Sequence, residues 1–470
     1  MKSNVYRAGW LCLGLLLPDL AFAAEGLDGA HLPVALGVPF AGILLSIALG
    51  PMLAPKFWHH HYGKVAAFWS VLVLAGLVLA AGSGATLAAL FHTFALEYLP
   101  FILMLFALFT AAGGIVVSGN LHGAPVLNTA LLAVGAGAAS FIGTTGASMV
   151  LIRPLLRAND NRRHNAHVVI FFIFLVSNIG GALTPLGDPP LFLGFLRGVD
   201  FFWTMKTIFP QTLTAVGILL VVFFLLDSWL YKNEGVVAPD ATPDSPLRVT
   251  GLVNFALILI AIGAIILSGV WKPGWDVTIL GTKIEIQNVV REAVMIFVGL
   301  ASLALTNTQQ REANGFEWEP IVEVAKIFAG IFITIIPVIA MLQAGKAGPF
   351  AGLLGLVSKA DGSPNNVAYF WLTGILSSFL DNAPTYLVFF EMAGGNVKAL
   401  MGPLANTLAA ISLGAVFMGA NTYLGNAPNF MVYAIARSNG VKMPGFFGYM
   451  LWSFLILIPL FILIQLLFVR

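Results

Sequence analysis

Of the 21 acidic residues in this 470-residue chain, two stand inside long apolar stretches interrupted by small residues, amides and prolines. Asp188 lies in Gly187-Asp188-Pro189-Pro190, and Asp381 in Asp381-Asn382-Ala383-Pro384-Thr385. A carboxylate at membrane depth is costly, which makes it a functional candidate by default. Burial favours the protonated form of a carboxylate and a neighbouring cation the ionised form. One such group can therefore hold either a proton or a metal cation, and competition between the two is a sufficient basis for cation/proton exchange. The same breaks carry Thr144, Thr145, Ser148, Asn178, Thr184, Asn382, Thr385, Asn421, Thr422 and Asn426. Their hydroxyl and amide oxygens, with freed backbone carbonyls, suit a small hard cation such as Na+, by analogy with the oxygen preference of other hard cations. Half-helix N-termini pointing inward also favour anionic groups, so the arrangement equally suits an organic anion. A structural reading stands beside the functional one. Asp188 before Pro189 has the form of an N-cap with proline at the first helical position, and Asn426 would cap its counterpart. Some of the hydroxyls and amides would then only join helices.

Other chemistry is thin. Gly143-Thr144-Thr145-Gly146 is not a phosphate loop, because no Gly-Lys-Ser/Thr follows it. No Gly-x-Ser-x-Gly sits beside a candidate base. His59, His60 and His61 have no cysteine or acidic partner nearby to complete a metal site. Arg153 and Glu391, on the second arms of two interrupted segments, are expected to snorkel to their interfaces. Glu292 and Asp227, near span ends, are expected to be solvated.

The elements that position these residues follow from composition. The chain is 59% apolar and only 9% charged, against about 25% charged in soluble domains. Too few charges remain to keep several soluble domains dissolved, which excludes a soluble enzyme and a disordered chain. The net charge of +2 gives no reason to expect a nucleic-acid partner. A bilayer crossing needs about 20 apolar residues, and spans are predicted at 33–54, 63–83, 98–118, 168–198, 208–231, 249–271, 288–307, 322–342, 408–437 and 445–469. The segments 125–157 and 366–394 are each broken in the middle and are read as re-entrant hairpins. The spans 168–198 and 408–437 are broken as well. Non-helical backbone at that depth is tolerated only where protein or a wet cavity satisfies it, so four breaks imply one polar site inside the membrane.

The breaks repeat. Ser140-Phe141-Ile142 matches Ser378-Phe379-Leu380, and Gly187-Asp188-Pro189-Pro190 matches Gly425-Asn426-Ala427-Pro428, both at a spacing of 238. Each half reads as three spans, a hairpin, a broken span and a closing span. Five crossings is an odd number, so the second half is inverted, the pattern of many secondary transporters. The fold expected is an all-α polytopic membrane protein with about ten transmembrane helices, two re-entrant hairpins in an inverted repeat, and two discontinuous helices. The predicted divisions are a signal peptide at 1–23, a first repeat at 24–231, a cytoplasmic linker at 232–248 and a second repeat at 249–470. The signal peptide rests on Lys2 and Arg7, the apolar run that follows, and Ala21-Phe22-Ala23. The only cysteine, Cys12, lies within it. The mature N-terminus would lie outside the cytoplasm, with the cluster Arg153, Arg157, Arg162 and Arg163 inside.

Ser177-Asn178-Ile179-Gly180-Gly181-Ala182-Leu183-Thr184-Pro185-Leu186-Gly187-Asp188 resembles the broken-helix motif of NhaD-like sodium/proton antiporters. These belong to the ion transporter superfamily, which also holds citrate and dicarboxylate carriers and arsenite transporters. Ser378-Phe379-Leu380-Asp381-Asn382-Ala383-Pro384-Thr385 resembles the second hairpin of that group. The dicarboxylate branch carries Ser-Asn-Thr at each hairpin tip, where this chain has Thr144-Thr145-Gly146 and Asn382-Ala383-Pro384. The resemblance implies a secondary transporter of the inner membrane, often a homodimer, in which a transport domain moves like an elevator against a scaffold. The expected activity is Na+/H+ antiport at Asp381 and Asp188. The alternative is sodium- or proton-coupled carriage of citrate or a dicarboxylate. No resident cofactor is expected, since Na+ and H+ are coupling or transported ions.

Overall fold

The computed structural model describes residues 27–119, 121–234 and 245–469. The expected signal peptide, and residues 235–244 of the expected linker, lie outside them. The described chain is helical apart from two short antiparallel ribbons, Val116–Ser118 with Arg248–Thr250 and Asp276–Ile279 with Thr282–Glu285. The helices are α1 (Val38–Leu53), α2 (Pro55–Thr93), α3 (Leu99–Gly113), α4 (Pro125–Ile142), α5 (Thr144–Ala158), α6 (Ala166–Leu175), α7 (Pro189–Leu196) and α8 (Trp203–Asn233). They continue with α9 (Val253–Val270), α10 (Ile286–Leu305), α11 (Glu319–Thr334), α12 (Ile336–Gln343), α13 (Asn366–Phe379), α14 (Asn382–Met392), α15 (Ala405–Met418), α16 (Ala427–Ser438) and α17 (Phe446–Phe468), with shorter turns between them. Among the described residues nine helical runs are long and apolar enough to cross a membrane, and the protein is an all-α polytopic membrane protein.

Proline sets many of the helix starts. It occupies the first or second position of α1, α2, α3, α4, α7, α11, α12 and α16. There its missing N–H costs nothing and its fixed φ suits the helix. Two boundaries differ from expectation. The stretch 84–97, predicted as a connection, is helical: Gly82 takes φ 83° and breaks the axis, and the chain resumes as helix to Thr93 and then a π turn, Phe94–Tyr98. Only a glycine enters that left-handed region without strain. The span predicted to reach 118 stops at Gly113, because Val116–Ser118 pair as a strand with Arg248–Thr250.

Both broken spans appear as broken helices. α6 leads through a 3-10 turn (Ile179–Leu183) and an irregular loop to α7, and α15 leads through Gly419–Asn421 to α16. Every residue of α6 from His167 to Leu175 is buried, since α4, α8 and α16 surround it. That is why its sequence reads as an unbroken apolar run with no polar face. The interrupted segments fold back on themselves, α4 on α5 and α13 on α14. Each returning arm packs on the broken helix of the other half: α5 on α16, and α14 on α7. This crosswise contact brings residues 238 positions apart to one place.

Candidate functional site

Four helices begin at the centre of this arrangement. α5 starts at Thr144 after Gly143, α14 at Asn382 after Asp381, α7 at Pro189 after Asp188, and α16 at Ala427 after Asn426. Gly143 turns the first hairpin with φ 80°. Its tip docks on the first broken helix through Thr144 N–H, which donates to Gly187 O at 2.8 Å. The loops of both broken helices close through glycine pairs, Gly181 against Gly187 and Gly419 against Gly425, where a Cβ on Gly187 or Gly425 would strike the opposite backbone.

The same side-chain clasp occurs in both halves. Ser140 Oγ donates to Gly180 O, and Ser378 Oγ to Met418 O. Thr184 Oγ1 donates to Ser140 O and accepts from Leu186 N–H; Thr422 Oγ1 donates to Ser378 O and accepts from Leu424 N–H. Thr184 and Thr422 thus fasten each hairpin to its broken helix.

Asp188 is buried, at 1% exposure, with three side-chain donors on it. Thr144 Oγ1 donates to Oδ1 at 3.1 Å, Asn426 Nδ2 to Oδ1 at 2.9 Å, and Asn382 Nδ2 to Oδ2 at 2.5 Å. Asn426 is the counterpart of Asp188 at the repeat spacing, and Asn382 is the counterpart of Thr144. The carboxylate therefore sits where the two halves meet. The capping reading of Asp188 is corrected. The residue holds the N-cap position of α7, but its side chain accepts no backbone N–H there. Pro190 at the second helical position has no N–H to offer, and Leu191 N–H goes to the main-chain oxygen of Asp188. Asn426 likewise does not cap α16. Its amide reaches Ser177 O, Asn178 Oδ1 and Asp188 instead. Asp381 is the aspartate that caps, accepting Ala383 N–H at 3.0 Å.

Asp381 also lines a small cavity of about 90 Å³, together with Gly143, Thr144, Thr145, Gly187 and Asn426. Met104, Leu108, Val324 and Phe328, from α3 and α11, form its apolar wall. Asp381 is the only ionisable side chain among the described residues lining it. Of the remaining candidates, Asn178 joins the cluster through Asn426 and donates to Asn429 Oδ1 at 2.7 Å. Thr385 bonds locally to Asp381 O. Asn421 donates to Ser378 Oγ at 2.9 Å. The amide oxygens of Asn382 and Asn421 are buried with no partner among the described residues. Sequence reasoning passed over Ser140, Ser378 and Asn429. The two serines stood in the repeated motif and were legible there. Asn429, which holds Asn178, Gly419 O and Thr422 O together, corresponds to Leu191 and leaves no repeat signal.

Two expectations outside the centre are overturned. Glu391 does not snorkel: it is buried and pairs with Arg197, which also binds Glu97 at 2.9 Å. Asp227 is not solvated, and Glu292 is half-buried. Asp227 is fully buried among Arg162, His167 and Asn128, and Glu292 binds Arg291. For Glu391 and Asp227 a partner distant in sequence removed the need for water, whereas Glu292 pairs with its neighbour in the chain.

The sequence matches, over residues 29–469, the family described as "Putative citrate transport". It is 23% identical over 332 residues to uncharacterized transporters of Mycobacterium bovis and Mycobacterium tuberculosis, covering 68% of this chain and 72% of each relative. A "46 kDa membrane protein" of Mycobacterium leprae is 23% identical over 328 residues, with the same coverage. A match across nearly the whole chain, onto a multi-helix membrane fold with a buried polar centre, identifies this protein as a membrane transporter belonging to the family described as "Putative citrate transport".

Proposed function

We propose that the protein is a secondary active transporter of the inner membrane that exchanges Na+ for H+ at Asp381. The observation that carries this reading is the contrast between the two aspartates. Asp188 is buried with three side-chain donors on its two oxygens, so the protein already engages it. Asp381 gives one oxygen to Ala383 N–H and otherwise faces a cavity whose described lining includes no lysine or arginine. A cation is drawn to such a site and an anion is repelled. On exchange, a proton arriving at Asp381 takes the oxygen lone pair that Na+ occupied, and Na+ leaves; the reverse step restores the pair. Thr144, Thr145, Asn382 and Asn426 would supply neutral oxygens, with Asn178, Thr184, Asn421, Thr385 and Thr422 holding the shell. In this reading the hairpins and broken helices, interlocked through α5 with α16 and α14 with α7, move as one body against the other spans.

A second reading has specific support. The family description names citrate, and the starts of α5, α7, α14 and α16 direct positive helix ends toward the centre. A cation bound at Asp381 would neutralise the site and admit a carboxylate beside those ends. Everted vesicles separate the readings. With an imposed pH gradient, proton efflux on adding Na+ alone, lost in Asp381→Asn, supports antiport. Labelled citrate uptake that depends on Na+ or H+, without Na+-driven proton movement, rejects antiport for carriage of the organic anion.

A further inference from the structure

We propose that a second cleft, between the start of α6 and the ends of α8 and α16, binds the phosphate headgroup of an anionic phospholipid. The cleft measures about 840 Å³ and takes in Arg157, Arg163, His164, Lys442, Trp229 and Trp452. Its charge is unbalanced for a reason visible behind its wall. Arg162 spends its guanidinium on buried Glu234, on Asp227 and on Gly123 O. Two acids behind the wall are thereby consumed internally, and among the described residues Asp160 is the one carboxylate on the lining. Arg163, His164 and Lys442 are exposed. The positive end of α6, beginning at Ala166, opens into the same space.

The other wall specifies a lipid rather than a free phosphate. Trp229 is 62% exposed on α8, which also exposes Val221 and Leu225. That apolar face is left uncovered by the described residues. Tryptophan with one apolar side and one wet end is the residue of the bilayer interface. Cations above and apolar surface below match a phosphodiester with acyl chains, and basic pockets between helix ends are a known setting for such headgroups. The cluster lies on the face that the arginine distribution assigns to the cytoplasm.

Native mass spectrometry of the full-length protein, purified in detergent and offered equal amounts of phosphatidylglycerol and phosphatidylcholine, tests the proposal. The expected result is one phosphatidylglycerol retained in preference to phosphatidylcholine. Arg163→Gln with Lys442→Gln should lower that preference roughly 30-fold, from the energy per cation near a charged lipid surface. Arg163→Lys with Lys442→Arg should keep it. Lys346→Gln with Lys359→Gln, which removes the same charge elsewhere, should also keep it. No preference in the unaltered protein, or equal loss in the Lys346/Lys359 variant, overturns the site. Displacement of the lipid by millimolar inorganic phosphate makes it a soluble-phosphate site and overturns the lipid assignment.

Discussion

Asn382→Leu tests whether Asp188 is held as an ionised group by its neighbours. The substitution keeps the number and branching of the side-chain heavy atoms and removes the donor of the 2.5 Å bond to Asp188 Oδ2. Hydrogen bonds to charged groups contribute about 1.5–3 kcal/mol, and a buried charge that loses a partner costs more. Thr144 and Asn426 remain on Oδ1, so the expected loss is about 2–4 kcal/mol. In an Asp188→Asn background the group at 188 is neutral, and the same change should cost only about 0.5–1.5 kcal/mol or less. The double-mutant cycle therefore predicts a coupling of about 2 kcal/mol. Unfolding by SDS titration in mixed micelles, followed by tryptophan fluorescence, measures all four proteins. Additivity within about 0.5 kcal/mol would refute the reasoning, because it would mean that Asn382 stabilises nothing particular to the carboxylate.

Three further outcomes are expected. Asp381→Asn should leave unfolding free energy within about 0.5 kcal/mol of the parent, since asparagine caps a helix as well as aspartate, while Na+-driven proton movement in vesicles is lost; retained exchange would remove Asp381 from the site. Asp227→Ala should destabilise by about 3–5 kcal/mol, because it strands Arg162, His167 and Asn128 in a buried cluster, and unchanged expression and melting would contradict the burial described. Gly187→Ala should prevent stable folding, judged by size-exclusion monodispersity, because its Cβ meets the Gly181 backbone, whereas Gly84→Ala, with open space around it, should be neutral or stabilising by up to about 1 kcal/mol.

Much of the architecture was written in the sequence by itself. The scarcity of charge required a membrane setting, because apolar runs of that length have nowhere else to go. Prolines and glycines marked the breaks in α6–α7 and α15–α16, since each removes or weakens a main-chain hydrogen bond at a fixed position. The spacing of 238 paired Thr184 with Thr422, whose matching bonds follow from it, and Thr144 with Asn382, which instead converge on the one carboxylate of Asp188. What the tertiary structure decided was which partner each polar group takes. The sequence marked Asp188 as the helix cap, yet Pro190 denies it a backbone donor and turns it toward Asn382, Thr144 and Asn426, while Ala383 lets Asp381 cap instead. Glu391 and Asp227 could not be placed from their own neighbourhoods, because Arg197 lies 194 residues from the one and Arg162 65 residues from the other. A local pattern carries the period and the breaks of a helix. The free energy of a buried charge depends on the donors that surround it in space, and only the packed chain brings them there.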